Sequence, residues 1–231
     1  VAGSGASASL GLVSAVSWGG SDFAGGLGSR RAPALLIVVS GQILSLAVLL
    51  GLCLFLRIPT PDRISTLCAL IGGFVGALSL AAFYRALAMG AMGLTAALTG
   101  LLTAGVPVLF SFWRDGLPTA VNLAGVAAGC IAIWLITQRR PEHPSFHSPA
   151  QRKALLLGTL SGIGFGGQLI LLKLASTSGV LWAMTWTRAA GVTALVMVLA
   201  AVRPKAPDAG FLRFGIIAGT LDTCGNLFYI L

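Results

Sequence analysis

The chain has 231 residues, of which 56% are hydrophobic and 9% charged, and its 15 Lys+Arg against 6 Asp+Glu give a net charge of +9. Soluble domains carry about 25% charged residues and disorder needs low hydrophobicity, so a soluble globular domain and a disordered chain are both excluded. What remains is an integral membrane protein.

Unbroken apolar runs such as residues 37–56 argue for helices, because a β-barrel would alternate apolar and polar residues along each strand. One spanning helix takes roughly 20 residues, so the chain holds about eight. In chain order the segments are residues 10–28, 33–56, 64–87, 92–112, 119–137, 154–174, 179–202 and 211–231. The turns between them are polar and Pro-rich. The longest is the linker 138–152, which contains both histidines, His143 and His147, and the only glutamate, Glu142. Basic residues such as Arg30, Arg31, Arg57, Arg63, Arg139 and Arg140 flank the apolar runs, which is membrane-helix chemistry and not a nucleic-acid footprint. The four cysteines, Cys53, Cys68, Cys130 and Cys224, lie inside apolar runs without CxxC spacing and read as small core residues. No metal site and no cofactor are expected.

Residues 10–20 align with residues 157–167, with identities at Leu10/Leu157, Gly11/Gly158, Ser14/Ser161, Gly19/Gly166 and Gly20/Gly167. Phe83-Tyr84 falls opposite Phe228-Tyr229 at nearly the same offset. The expected organisation is a five-helix unit over 1–137, the linker 138–152, and a second unit over 153–231 that breaks off in its third helix. An odd number of helices per unit inverts the second copy in the membrane, and inverted repeats place a transporter's substrate site at their interface. The chain begins at Val1 and stops at Leu231 within an apolar run, so the natural protein is expected to continue to about ten helices.

Several stretches resemble an EamA-type unit of the drug/metabolite transporter superfamily. They are Trp18-Gly19, Ala82-Phe83-Tyr84-Arg85-Ala86-Leu87, the run from Leu98 to the proline Pro107, and Leu123-Ala124-Gly125-Val126-Ala127-Ala128-Gly129. That family often has Gly-Glu after its fourth helix, where this chain has Arg114-Asp115-Gly116. The resemblance implies a ten-helix carrier of small organic solutes, often an exporter, in a bacterial inner membrane with the N-terminus inside. The Lys/Arg balance of the loops alone points to the opposite orientation.

Ionisable residues at membrane depth cost about 2.5–3.5 kcal/mol on insertion scales and face a cavity or a partner. Asp222 is the strongest such residue. Gly215, Gly219, Asp222, Asn226 and Tyr229 share one helical face, as a cavity lining or as a close-packed polar seam. A carboxylate there can take and release a proton during transport. Arg188 stays charged and needs an anion, either Asp222 or a substrate carboxylate. Trp182 and Trp186 flank it as a substrate platform or as interface anchors. Asp22 lies one turn after Trp18, and either faces the site or pairs towards Arg30. Ser14, Ser17 and Ser21 match Ser161, Gly164 and Gln168, so both first helices carry a polar stripe. Thr95, Thr99 and Thr103 precede Pro107, whose helix is either a gate or a static bend.

The match of residues 162–167 to GxGxxG sits in an apolar helix and is no dinucleotide site. With Gly158 it forms a small-residue face, as do Gly72/Gly76, Gly125/Gly129 and Gly215/Gly219, and such faces pack helices. The same faces are compatible with a homodimer. No catalytic cluster is visible, so an enzyme is not expected. The reading is an all-α membrane transporter of small-molecule substrates in the lipid bilayer. Its cavity is expected among the first, third, sixth, seventh and eighth helices. The rival is a non-transporting membrane scaffold or assembly subunit.

Overall fold

The computed structural model describes residues 4–89, 92–116, 120–138, 148–204 and 209–230. Within them lie the helices α1 (Ser4–Ser29), α2 (Ala34–Phe55), α3 (Arg63–Ala88), α4 (Met92–Asp115), α5 (Ala120–Gln138), α6 (Pro149–Ala175), α7 (Val180–Val202) and α8 (Leu212–Ile230), with no strand among the described residues. Five of these, α2, α3, α4, α6 and α7, are long and apolar enough to cross a membrane. The protein is thus an all-α protein with the build of an integral membrane protein. The helices α1, α5 and α8 fall outside that measure among the described residues. Serines and glycines lower the hydropathy of α1, and Arg213, Asp222 and Asn226 that of α8. The linker with His143, His147 and Glu142 lies outside the described residues.

Local chemistry sets several helix ends. The Asp62 side chain accepts from the Ser65 backbone N–H at 2.9 Å and caps α3. Ser148 caps α6 in the same way through Gln151 N–H at 3.2 Å, with Pro149 in the first turn, where a missing N–H costs nothing. Gly179 sits at φ +134° between α6 and α7, a backbone conformation open to glycine and strained for other residues.

The helices run close because small residues remove the side chains between them. An added Cβ on Gly41 of α2 would come 2.6 Å from the Gly215 carbonyl of α8. Gly73 of α3 lies against the backbone of Thr187 in α7. The face Gly158/Gly162/Gly166 of α6 takes in Thr95, Thr99, Leu102 and Val106 of α4. The expected packing role therefore holds for the glycines of α3, α6 and α8. It does not hold for Gly125 and Gly129, which have nothing within 4 Å of an added Cβ; α5 rests on α4, and these two glycines take no part. Within α4, Pro107 is accommodated without ending the helix, and Thr103 turns its hydroxyl back to the Thr99 carbonyl at 2.8 Å.

The most extensive interfaces are α3 with α6, α1 with α8, and α3 with α7; α2 packs on both α7 and α8, and α4 on α6. Helices α1 and α8 are antiparallel: Ser14 Oγ donates to the Gly225 carbonyl and Ser21 Oγ to the Ala218 carbonyl, both at 2.8 Å. Helices α3 and α6 are also antiparallel, with Gly76 against Gln168 and Gly164 against Ser79. Helices α2 and α8 run parallel (Gly41 at Gly215, Ser45 at Thr223), as do α3 and α7 (Gly73 at Thr187, Gly191 at Ala77).

Ile37, Phe83, Tyr84, Leu87 and Leu195 form a core where α2, α3 and α7 meet. The outer faces carry Val16 at 76% exposure, Phe55 at 84% and Ile64 at 73%. So wide an apolar exterior is costly in water and favourable against lipid chains.

Candidate functional site

Three helices bring polar side chains, two of them charged, to one buried point. Arg188 of α7 is 3% exposed. One of its amino groups, Nη2, lies 2.6 Å from Oδ2 of Asp222 on α8, and the other, Nη1, donates to Gln42 Oε1 on α2 at 3.2 Å. Asn226, one turn beyond Asp222, donates through Nδ2 to Asp222 Oδ1 at 3.1 Å and to the Asp222 carbonyl at 2.7 Å. The guanidinium is therefore shared between a carboxylate and an amide oxygen, while the carboxylate has a donor on each oxygen. That satisfaction is what allows a charge pair to stay out of water.

The structure thus joins Asp222, Arg188 and Asn226, which sequence reasoning singled out, and answers whether the guanidinium meets Asp222: it does. Gln42 is the residue that reasoning missed. The signal was present, since Gln42 is the one long polar side chain in the apolar run of α2 and neighbours Ser40, Gly41 and Ser45. A single uncharged residue stands out less than a charge, and only the packing of α2 against α7 reveals its partner.

A cavity of about 10 Å³ opens beside the pair, lined by Ile37, Val38, Gly41, Gln42 and Ser45 of α2, Leu80 and Tyr84 of α3, and Ala218, Gly219 and Asp222 of α8. That is space for about one water molecule and none for an organic solute. The lining helices are α2, α3 and α8, of which α2 is not in the expected set, and Arg188 of α7 is bonded to the lining residues Asp222 and Gln42. The cause is the glycine contact of Gly41 with Gly215 and Gly219, which brings α2 directly onto α8.

Hydroxyl groups surround the cavity. Ser45 Oγ lies 2.6 Å from Thr223 Oγ1, and Ser21 Oγ lies 3.2 Å from Tyr84 Oη. Asp22, next to Ser21, is partly buried and within electrostatic reach of Asp222 and Tyr84. Among the described residues it makes no hydrogen bond or ion pair. The alternative pairing with Arg30 is not formed; that guanidinium lies 4.0 Å from the Met92 sulfur. Trp18 stacks at a tilt on Tyr229, ring centroids 5.7 Å apart, with its indole over Gly225.

Other expected residues lie elsewhere. Trp182 and Trp186 stack on each other at 5.9 Å, and Trp182 Nε1 donates to the Ile58 carbonyl at 2.9 Å. Trp186 packs among Leu49, Leu172 and Met184, and its Nε1 is buried without a partner among the described residues. Neither ring lines the cavity. Gln168 packs on Gly76 in the α3–α6 interface and does not line the cavity. Among the described residues no group of three or more His, Cys, Asp or Glu is placed to hold a metal.

Comparison with protein-family models, with curated proteins and with solved structures finds no match.

Proposed function

We propose that this protein is a secondary membrane transporter moving small organic metabolites, amino acids or drug-like solutes, across a bacterial inner membrane by alternating access. Export is the proposed direction, and the proposed framework is a pair of inverted EamA-like units, the first over 1–137 and the second over 153–231. The observation that carries the reading is the buried Arg188–Asp222 pair held by Gln42. It draws α2 of the first unit to α7 and α8 of the second at membrane depth, where polar groups are retained for function or for specific packing.

The helix contacts support the repeat. A two-fold relation that exchanges α1 with α6, α2 with α7 and α3 with α8 turns the antiparallel α3–α6 interface into the antiparallel α1–α8 interface. It also turns the parallel α3–α7 interface into the parallel α2–α8 interface. This is the arrangement expected of inverted repeats that rock about a central site. With so little free space beside the ion pair, the conformer described here is closed on the site, and substrate enters only after the units move apart.

The test is uptake of labelled amino acids and small metabolites by proteoliposomes of the full chain, with and without a proton gradient. Gradient-driven uptake that is lost in Asp222→Asn is expected. Unchanged transport and unchanged pH dependence in that variant would remove Asp222 from coupling.

The satisfied ion pair and the tight cavity also favour a second reading, a static membrane scaffold whose polar centre specifies packing. Solvent access separates the two. A water-soluble thiol reagent should reach Asn226→Cys or Gln168→Cys in a carrier that opens, whereas a dry scaffold should protect both.

A further inference from the structure

The two ends of the helix bundle differ in charge. One end gathers the C-termini of α1, α3 and α7 with the N-termini of α2, α4, α6 and α8. Arg30, Arg31, Arg85, Arg152, Arg203 and Arg213 lie there, all exposed, with no acid among the described residues. Glu142 and Asp208 lie outside the described residues. At the opposite end Asp62 and Asp115 offset a smaller basic set. Helices α6 and α8 start at the basic end with no acid in their first turns and with Arg152 and Arg213 in them. A helix N-terminus carries positive partial charge and disfavours a cation, so nothing local compensates these side chains. Two of the guanidiniums also converge. Arg31, in the turn between α1 and α2, and Arg213 of α8 lie 5.4 and 5.0 Å from the centroid of the same Phe214 ring. Phe214 is set against the end of α1, where an added Cβ on Gly28 would come 2.6 Å from its Cβ. An aromatic ring holds a guanidinium in place, but two like charges on one ring repel unless an anion lies between or beside them.

We propose that Arg31 and Arg213, held on Phe214, bind the phosphate of an anionic phospholipid. The guanidinium fork matches phosphate oxygens, and a second guanidinium on the same ring doubles the charge offered to them. What selects a lipid over a free anion is the surface beside the pair. Ile216 and Ile217 lie three and four positions after Arg213 on the same face of α8 and are 46% and 49% exposed. A headgroup at the guanidiniums therefore continues into acyl chains along these isoleucines. A free phosphate would leave that apolar strip unused, and an acidic peptide would place polar backbone against it. The site is independent of the transport reading, since it lies at the rim of the bundle and would serve a carrier and a scaffold alike. It gives the basic end a defined partner, because juxtamembrane arginines gain by attraction to anionic headgroups.

The experiment is native mass spectrometry of the full chain in neutral detergent, titrated with dioleoyl-phosphatidylglycerol and with dioleoyl-phosphatidylcholine. Phosphatidylglycerol is expected to bind at least about tenfold more tightly, the size of effect given by one charge-assisted contact. Arg31→Gln and Arg213→Gln should each weaken it about fivefold, and the double variant should remove the preference. Arg31→Lys with Arg213→Lys should keep most of it, because the charge remains. Arg57→Gln with Lys173→Gln, at the opposite end, should leave it unchanged. Thermal unfolding checks that each variant folds, and the single variants carry the test if the double variant does not. Equal binding of the two lipids, or an unchanged preference in the folded arginine variants, overturns the proposal. So does an equal loss in the control at the opposite end, because position then plays no part. Displacement of phosphatidylglycerol by an equimolar amount of inorganic phosphate or of an acidic peptide overturns the lipid assignment, because the acyl chains then add nothing.

Discussion

Arg188 illustrates how much a single buried charge depends on its partners. Breaking a buried ion pair costs about 3–5 kcal/mol, because the remaining charge keeps its desolvation penalty and loses its compensation. Asp222 is 17% exposed at the side chain, so the lower end applies. Asp222→Asn is expected to destabilise the protein by about 3 kcal/mol in denaturant unfolding in detergent. The double variant Arg188→Met with Asp222→Leu should recover most of that loss and still not transport. Recovery of transport in the double variant would show that the pair serves packing alone. Gln42→Leu removes a hydrogen bond to a charged group and should cost about 1.5–3 kcal/mol in the same measurement. A smaller effect would mean that the guanidinium finds another acceptor. The charges at this site were legible as single residues in apolar runs. Their pairing was not, because Arg188 and Asp222 lie on different helices and Gln42 lies on a third, far away in sequence.

At the scale of the helices, glycine position decides which faces meet. Gly41, Gly215 and Gly219 let α2 and α8 touch backbone to backbone, whereas Gly125 and Gly129 meet nothing. Gly41→Leu is expected to force the two helices apart and cost at least about 1–3 kcal/mol as an overpacking defect. Gly125→Ala should be neutral or raise the midpoint slightly, since alanine favours a helix by about 1 kcal/mol over glycine. Thermal melts of the two variants side by side provide the check, and equal effects would contradict the packing described for α2 and α8. The helices themselves were legible, since residues 33–56 and 179–202 were marked from apolar runs and the structure places α2 and α7 there. Small-residue faces were also legible, but four glycine faces look alike in sequence and only some of them meet a neighbour.

For the whole molecule, the interfaces α3–α6 and α1–α8 join the two proposed units, and transport by rocking requires them to shift. An added Cβ on Gly164 lies 3.2 Å from the Ser79 Cβ, close to the span that a disulfide bridges. The pair Ser79→Cys with Gly164→Cys is expected to cross-link α3 to α6 on oxidation. It should lower transport by about tenfold or more and release it again on reduction, if the units move against each other as proposed. Transport that persists in fully cross-linked protein would place the moving parts elsewhere.

Composition alone decided that the chain belongs in a membrane, because 9% charged residues cannot cover a water-facing surface of this size. Apolar run lengths decided the helices, and the match of residues 10–20 to 157–167 suggested two related units. Each of these is a local property, read within one segment or by comparing two. Only the tertiary structure decided that Arg188 is held by Asp222 and Gln42, that α2 lines the cavity, and that Trp182 and Trp186 stack on each other outside that lining. Those facts depend on the rotation of each helix about its axis and on which glycines allow close approach. Both are set by packing between segments far apart in the chain, and that packing has no local signature.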